Sequence, residues 1–261
     1  MNTSPNDGAS RRDLAAEAET LRALHVPGRP LLLANVWDAP TAELAQAAGL
    51  AAVATASEAI APVNGYADHG GLPPEVAFAV LARIAGAVTL PVTADLEDGY
   101  GLSADDLVER LLAAGACGLN LEDTDNNAKC LVAAEQQAER IAAIKAAGRA
   151  RGVELVMNAR VDVFLHGGSV ASGLERAKLY FAAGADCVYP IFLADLAAVG
   201  DFAALGLTNV LWRPGGPRLS EFASAGAARI SSGPVLFQLM LKRLGTAMDA
   251  FRRLDDAGVT G

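Results

Sequence analysis

The chain has 261 residues, 52% of them hydrophobic, and a formal net charge of −9. No Lys/Arg run or basic stripe interrupts that acidity, which argues against nucleic acid as a partner. No apolar run reaches the roughly 18–20 residues of a membrane span, and the three cysteines, an odd number, predict free thiols in a reducing cytoplasm.

Residues 1–11 lack the apolar segment of a secretory signal and read as a disordered tail, with one domain over 12–261. Helical patterns occupy 12–24, 39–48, 73–87, 103–114, 133–151, 169–183, 193–204, 217–225 and 234–255. Between them lie short apolar runs: LLLANV (31–36), AAVAT (51–55), PVTAD (91–95), CGLNLE (117–122), ELVMNA (154–159), DCVYP (186–190), TNVLW (208–212) and ARISS (228–232). Four of these junctions repeat one phrase, Ala-Gly followed by apolar residues, beginning at 48, 114, 183 and 225. Glycine just past a helix suits the left-handed cap position. The run after it reads as a parallel strand buried on both faces. Eight alternating units predict a single (β/α)₈ (TIM) barrel, with a doubly wound open sheet as the runner-up. No G-x-G-x-x-G follows the first strand, so nothing supports a dinucleotide site.

Polar residues collect at the C-terminal ends of these strands, where such barrels hold their active sites. The third strand ends in Asp95, Glu97 and Asp98, the fourth in Glu122, the fifth in Arg160. Strand alternation puts Asp95 and Glu97 on one face and Asp98 on the other. Clustered carboxylates repel unless a cation joins them or some are protonated. Oxygen ligands without a Cys/His pattern favour Mg²⁺, with Mn²⁺ as the alternative. The competing reading makes the same acids caps and ion-pair partners. Arg160 reads either as a forked donor to a substrate anion or as a partner of Asp162 or Glu122. Ser57 reads as a helix cap or as the start of a carboxylate-binding helix. Ser103 caps the helix at 103–114, with Asp106 as its capping-box partner.

The segments GLAAVATASEAIAPVNGYAD (49–68), ADLEDGYG (94–101), GLNLED (118–123) and NARVD (158–162) resemble the isocitrate lyase/phosphoenolpyruvate mutase superfamily over about 30–240. The likeness is strongest to its carboxyvinyl-carboxyphosphonate phosphorylmutase-like and 2-methylisocitrate lyase-like members. It implies a barrel whose C-terminal helix is exchanged between subunits of a homodimer or homotetramer. It implies Mg²⁺ bound directly by Asp95 and mostly through water by Asp68, Glu97 and Glu122. The Ser57 and Glu58 backbone would take the carboxylate of a small anionic 2-oxo or 2-hydroxy acid, with Arg160, and Arg213 beside it, on its other oxygens. Asp68 and Arg160 would serve the chemistry: C–C cleavage through an enolate, or alternatively P–C hydrolysis, mutase activity or metal-dependent binding alone. The lyases' K-[KR]-C-G-H loop is absent. Cys130 lies eight residues beyond Glu122, where their proton-donating cysteine stands, but no Gly-His follows and the loop is short. Ile191 replaces the lyases' glutamate or the mutase's histidine.

Overall fold

The computed structural model describes residues 12–260, so the tail expected at 1–11 lies outside them. The strands are β1 (Leu31–Val36), β2 (Val53–Thr55), β3 (Val92–Asp95), β4 (Gly118–Leu121), β5 (Thr124–Asp125), β6 (Cys130–Leu131), β7 (Val156–Val161), β8 (Cys187–Pro190), β9 (Asn209–Leu211) and β10 (Arg229–Ser231). The helices are α1 (Leu14–Ala23), α2 (Ala39–Ala47), α3 (Ser57–Val63), α4 (Pro74–Ala87), α5 (Ala104–Ala113), α6 (Ala134–Ala150), α7 (Val170–Ala182), α8 (Leu196–Leu205), α9 (Leu219–Ser224), α10 (Val235–Arg252) and α11 (Asp256–Thr260).

Eight strands form one parallel sheet in the order β8-β7-β4-β3-β2-β1-β10-β9. A lone parallel bridge, Val188↔Thr208, joins its two ends and closes the barrel. The expected (β/α)₈ fold is therefore present. β2, β4 and β8 are buried at every position, as strands are when side chains fill the barrel and helices cover it. The helices dock by one apolar face. α5 buries Leu107, Val108 and Leu111, and each such side chain contributes roughly 1.5–3 kcal/mol by leaving water.

The repeated Ala-Gly phrase behaves as its chemistry requires. Gly49, Gly115, Gly184 and Gly226 have φ of 80°, 86°, 98° and 94°, each just past the capping residue and two residues beyond the ends of α2, α5, α7 and α9. The Ser103 cap is present, but its box differs. Asp106 N–H donates to Ser103 Oγ, and the short Asp106 side chain accepts from the Ser103 hydroxyl rather than from the backbone.

Three features depart from expectation. The fifth barrel strand runs two residues further, to Val161, so Arg160 lies within it. The β5–β6 hairpin fills a segment that showed no periodicity, whereas α3 begins at Ser57, where a helix start was expected. α10 buries only Val235, Phe237 and Ala250, and leaves Leu241, Leu244, Met248 and Phe251 between 45% and 74% exposed. No helix among the described residues is long and apolar enough to cross a membrane.

Candidate active site

All eight barrel strands bring a residue at or just past their C-terminal ends to one cavity of about 360 Å³. Asn35, Ser57, Asp95, Asn120 with Glu122, Arg160, Tyr189, Leu211 and Ser231 stand at successive positions around it. Asp68 and His69 enter from the loop after α3. Gly233 to Val235 and Gln238 come from the start of α10. One side is acidic and polar. The other is apolar, made by Leu165, Ile191, Phe192, Leu211 and Val235.

Asp95 is at the last position of β3. Its Oδ2 accepts from Ser57 N–H (3.1 Å) and from Ser57 Oγ (2.9 Å), while Oδ1 is buried with no partner. Both Ser57 donors are thus committed to Asp95 and are not open to a substrate carboxylate. Ser57 is also the first residue of α3 rather than its cap, which is Ala56. Glu58 follows it on the cavity wall and accepts from Gln238 Nε2 (3.3 Å); burial, then the nearby Asp68 charge, raises its pKa.

Glu122 pairs with Arg160, and its Oε2 is buried and unpartnered. Burial pushes the Glu122 carboxyl well above the usual range against the pull of Arg160. Arg160 forks onto Asp162 as well, Nε to Oδ1 at 2.5 Å and Nη2 to Oδ2 at 3.1 Å. Burial alone would lower the Arg160 pKa, but the two carboxylates outweigh it and hold it above its ordinary value. Both ion-pair partners weighed for Arg160 are therefore real, and the arginine still lines the cavity. Behind it the Asp162 N–H donates to Asp123 Oδ1 (2.7 Å). Asp123 Oδ2 accepts from Tyr180 (2.5 Å) and Arg176 (3.0 Å). This buried chain orients the guanidinium without touching the cavity.

Glu97 corrects the alternation argument. β3 stops at Asp95, and Glu97 has a left-handed φ of 51°, so strand alternation does not reach it. It does not line the cavity. Its Oε2 accepts from Gly70 N–H (2.5 Å) and Asn126 Nδ2 (3.0 Å), tying the Asp68–Gly70 loop to the hairpin. Burial, then the charge of Asp68, raises its pKa to about 8. Asp98 is a loop support, as expected: Oδ1 accepts from Tyr100 N–H and Oδ2 from Asn126 N–H, both at 3.0 Å. Asp68 keeps a buried, unpartnered Oδ1, and burial raises its pKa.

Two further candidates are placed differently. Cys130 sits exposed on β6 and does not line the cavity. The short post-β4 loop is a compact hairpin whose turn is held by Asp125 Oδ1, which accepts from Asn127 and Ala128 N–H at 2.8 Å. Arg213 does reach the cavity rim, its guanidinium 5.0 Å above the Phe192 ring. Sequence reasoning missed Arg229, which is fully buried on β10, and gave Asn120 no role. An arginine inside a strand covered on both faces is the signal that would have found it.

A closed eight-stranded parallel barrel with acids, amides and an arginine gathered at its C-terminal mouth defines a (β/α)₈ protein with the site architecture of the barrel enzymes. The phosphoenolpyruvate phosphomutase family model matches residues 21–252. The chain belongs to that family and so to the isocitrate lyase/phosphoenolpyruvate mutase superfamily. It is 30% identical to the 2-methylisocitrate lyase of Escherichia coli K12 over 202 residues, 69% of this chain and 67% of the lyase. An uncharacterized protein of Mycobacterium tuberculosis H37Rv is 31% identical over 225 residues, 81% of each chain. A solved Burkholderia cenocepacia structure described as a phosphonomutase superposes with a TM-score of 0.85 at 36% identity, covering 90% of this chain and 98% of that one.

Proposed function

We propose that the chain is a Mg²⁺-dependent lyase that cleaves a C–C bond of a small 2-oxo or 2-hydroxy acid through an enolate. One observation carries this reading. Asp95 Oδ1, Glu122 Oε2 and Asp68 Oδ1 are buried, unpartnered carboxylate oxygens on residues that line one cavity together with Arg160. Unsatisfied buried oxygens of this kind fit a hard divalent cation and its waters. Among the described residues no three acid, His or Cys side chains stand close enough to ligate one ion directly. The donor set therefore fits one direct ligand, Asp95, with Glu122 and Asp68 acting through water, and Mn²⁺ would suit the same oxygens. When bound, Mg²⁺ supplies the positive charge that stabilises an oxyanion at the substrate's C2.

The chain's own residues supply the rest. Arg160 offers its remaining guanidinium edge to a substrate carboxylate. Asp68, whose burial favours its protonated form, can hold a proton near the reacting carbon. Glu97 holds the Asp68 loop in place. The apolar wall, with Ile191 and Leu211, excludes water and suits the alkyl part of a carbon fragment better than a phosphoryl dianion, which is why C–C cleavage is preferred to P–C cleavage. The apolar face of α10 is proposed to pack on a second copy in a homodimer or homotetramer. A phosphonopyruvate hydrolase of the same fold, 22% identical, was solved with oxalate and Mg²⁺.

The test is a Mg²⁺-supplemented screen of oxaloacetate, methylisocitrate, dimethylmalate, phosphonopyruvate and phosphoenolpyruvate, with product release as the readout. Turnover of one of the first three, lost with EDTA and in Asp95→Ala, is expected. Turnover of phosphonopyruvate alone would overturn the C–C assignment, and EDTA-resistant turnover would overturn the metal.

A further inference from the structure

Among the described residues Arg229 heads the fully buried side chains by size, and it has no carboxylate partner there. Burying a cation that way is costly, and burial lowers its pKa. Its one hydrogen bond runs from Nη2 to Asn120 Oδ1, at 2.9 Å. Asn158 Nδ2 donates to the same oxygen at 2.8 Å. An arginine carries donors only, so the Asn120 atom that it meets must be the oxygen. The amide is thereby locked in one orientation. Its oxygen faces down into the barrel with two donors on it, and its nitrogen is left for the other side.

That other side is the cavity. Asn120 lines it, and among the described residues nothing accepts from Asn120 Nδ2. In the sheet its Cα is registered with that of Asp95 on one neighbouring strand and that of Asn158 on the other. The cavity floor therefore carries an N–H donor of set direction beside its principal carboxylate. A buried charge one layer below polarises that donor in surroundings of low dielectric constant.

We propose that Asn120 Nδ2 is a substrate-contacting donor to an anionic oxygen of the bound carboxylic acid, and that Arg229 is the positioning residue that aims it. This rests on the 2-oxo acid reading above. A merely structural network would satisfy Arg229 without regard to what the amide nitrogen meets.

The test separates the two. Asn120→Asp keeps an acceptor for both Arg229 and Asn158 while replacing the N–H with an oxygen. Arg229→Met leaves the cavity lining and the Asn158 contact intact but removes the donors-only partner that fixes which way the amide faces. Each variant is measured for its Mg²⁺ affinity, its oxalate affinity at saturating Mg²⁺ by calorimetry, and its thermal midpoint. Asn120→Asp is expected to fold as the wild type does and to bind oxalate at least tenfold more weakly. Arg229→Met is expected to weaken oxalate several-fold with little change in Mg²⁺ affinity. Wild-type oxalate affinity in Asn120→Asp overturns the contact. Unchanged oxalate affinity in Arg229→Met overturns the positioning role. Wild-type protein that binds Mg²⁺ but not oxalate overturns the 2-oxo acid reading, and the inference with it.

Discussion

Replacing Arg160 by Met should expose how the site is held together. The guanidinium is bonded to two buried acids, Glu122 at 2% exposure and Asp162 at 0%. Removing one partner of a buried pair costs about 3–5 kcal/mol because the other charge is stranded. Glu122 can relieve part of that by taking up a proton, since burial already raises its pKa. The loss at pH 7.5 should therefore fall near the lower bound, about 3 kcal/mol, a drop of roughly 6–12 °C in melting temperature for a chain of this size. The pH dependence has a definite sign. Without Arg160, the folded-state pKa of Glu122 rises further above its unfolded value of 4.5. The folded state then binds the extra proton, so the variant gains stability relative to wild type as pH falls from 7.5 toward 5. Adding Glu122→Gln should recover part of the loss. Scanning calorimetry of both variants at pH 5 and 7.5 measures all of this. A single mutant melting within 2 °C of wild type, or strictly additive effects of the two substitutions, would refute a coupled buried pair.

Glu97→Gln keeps an acceptor for Gly70 and Asn126 but cannot ionise. The wild-type pKa is raised to about 8, so its contribution is full below about 4.5 and is lost as pH rises through 8. In metal-free protein the Gln variant should therefore gain stability over wild type across that interval, as urea titrations at pH 5 and 8.5 will show. Cys130→Ser should leave turnover unchanged and remove the one thiol that reacts rapidly with a disulfide reagent, because burial holds Cys117 and Cys187 at about 12. Gly49→Ala should cost about 1–2 kcal/mol through its left-handed backbone alone, since no atom lies within 4 Å of the added Cβ. Gly86→Ala, in the exposed last turn of α4 with equal space, should stabilise by about 0.5–1 kcal/mol, and paired melts separate the two signs.

The barrel was legible because each βα unit carries the same local signals: an Ala-rich helix, a left-handed glycine and a short apolar strand. Those signals act over a few residues and survive any tertiary context. What was missed depends on contacts distant in sequence. The extent of α3, whose start at Ser57 was read, is seven residues with Pro62 inside it, too short for periodicity. The β5–β6 hairpin has two residues per strand and a turn built by one aspartate side chain. Asp95, Glu122, Asp68 and Arg160 could be nominated from strand ends and resemblance, and the structure gathers them. Glu97 could not be placed, because strand alternation fails where the backbone turns left-handed. Arg229 stood in plain view inside a strand covered on both faces, but only the Asn120 amide across the barrel shows what it serves.

The closure between β8 and β9 has a consequence for motion. Elsewhere, neighbouring strands share two to four registered residue pairs, but this seam has a single bridge. Like a hoop with one loose stave, the barrel should breathe there first. What spans the gap is the side-chain cluster of Tyr189, Ile191 and Leu211, which also lines the cavity. A ligand packed against that wall would brace the stave from inside. Occupancy would then be written in the backbone itself, as slowed amide exchange at Val188, whose N–H is held across the seam by Leu207.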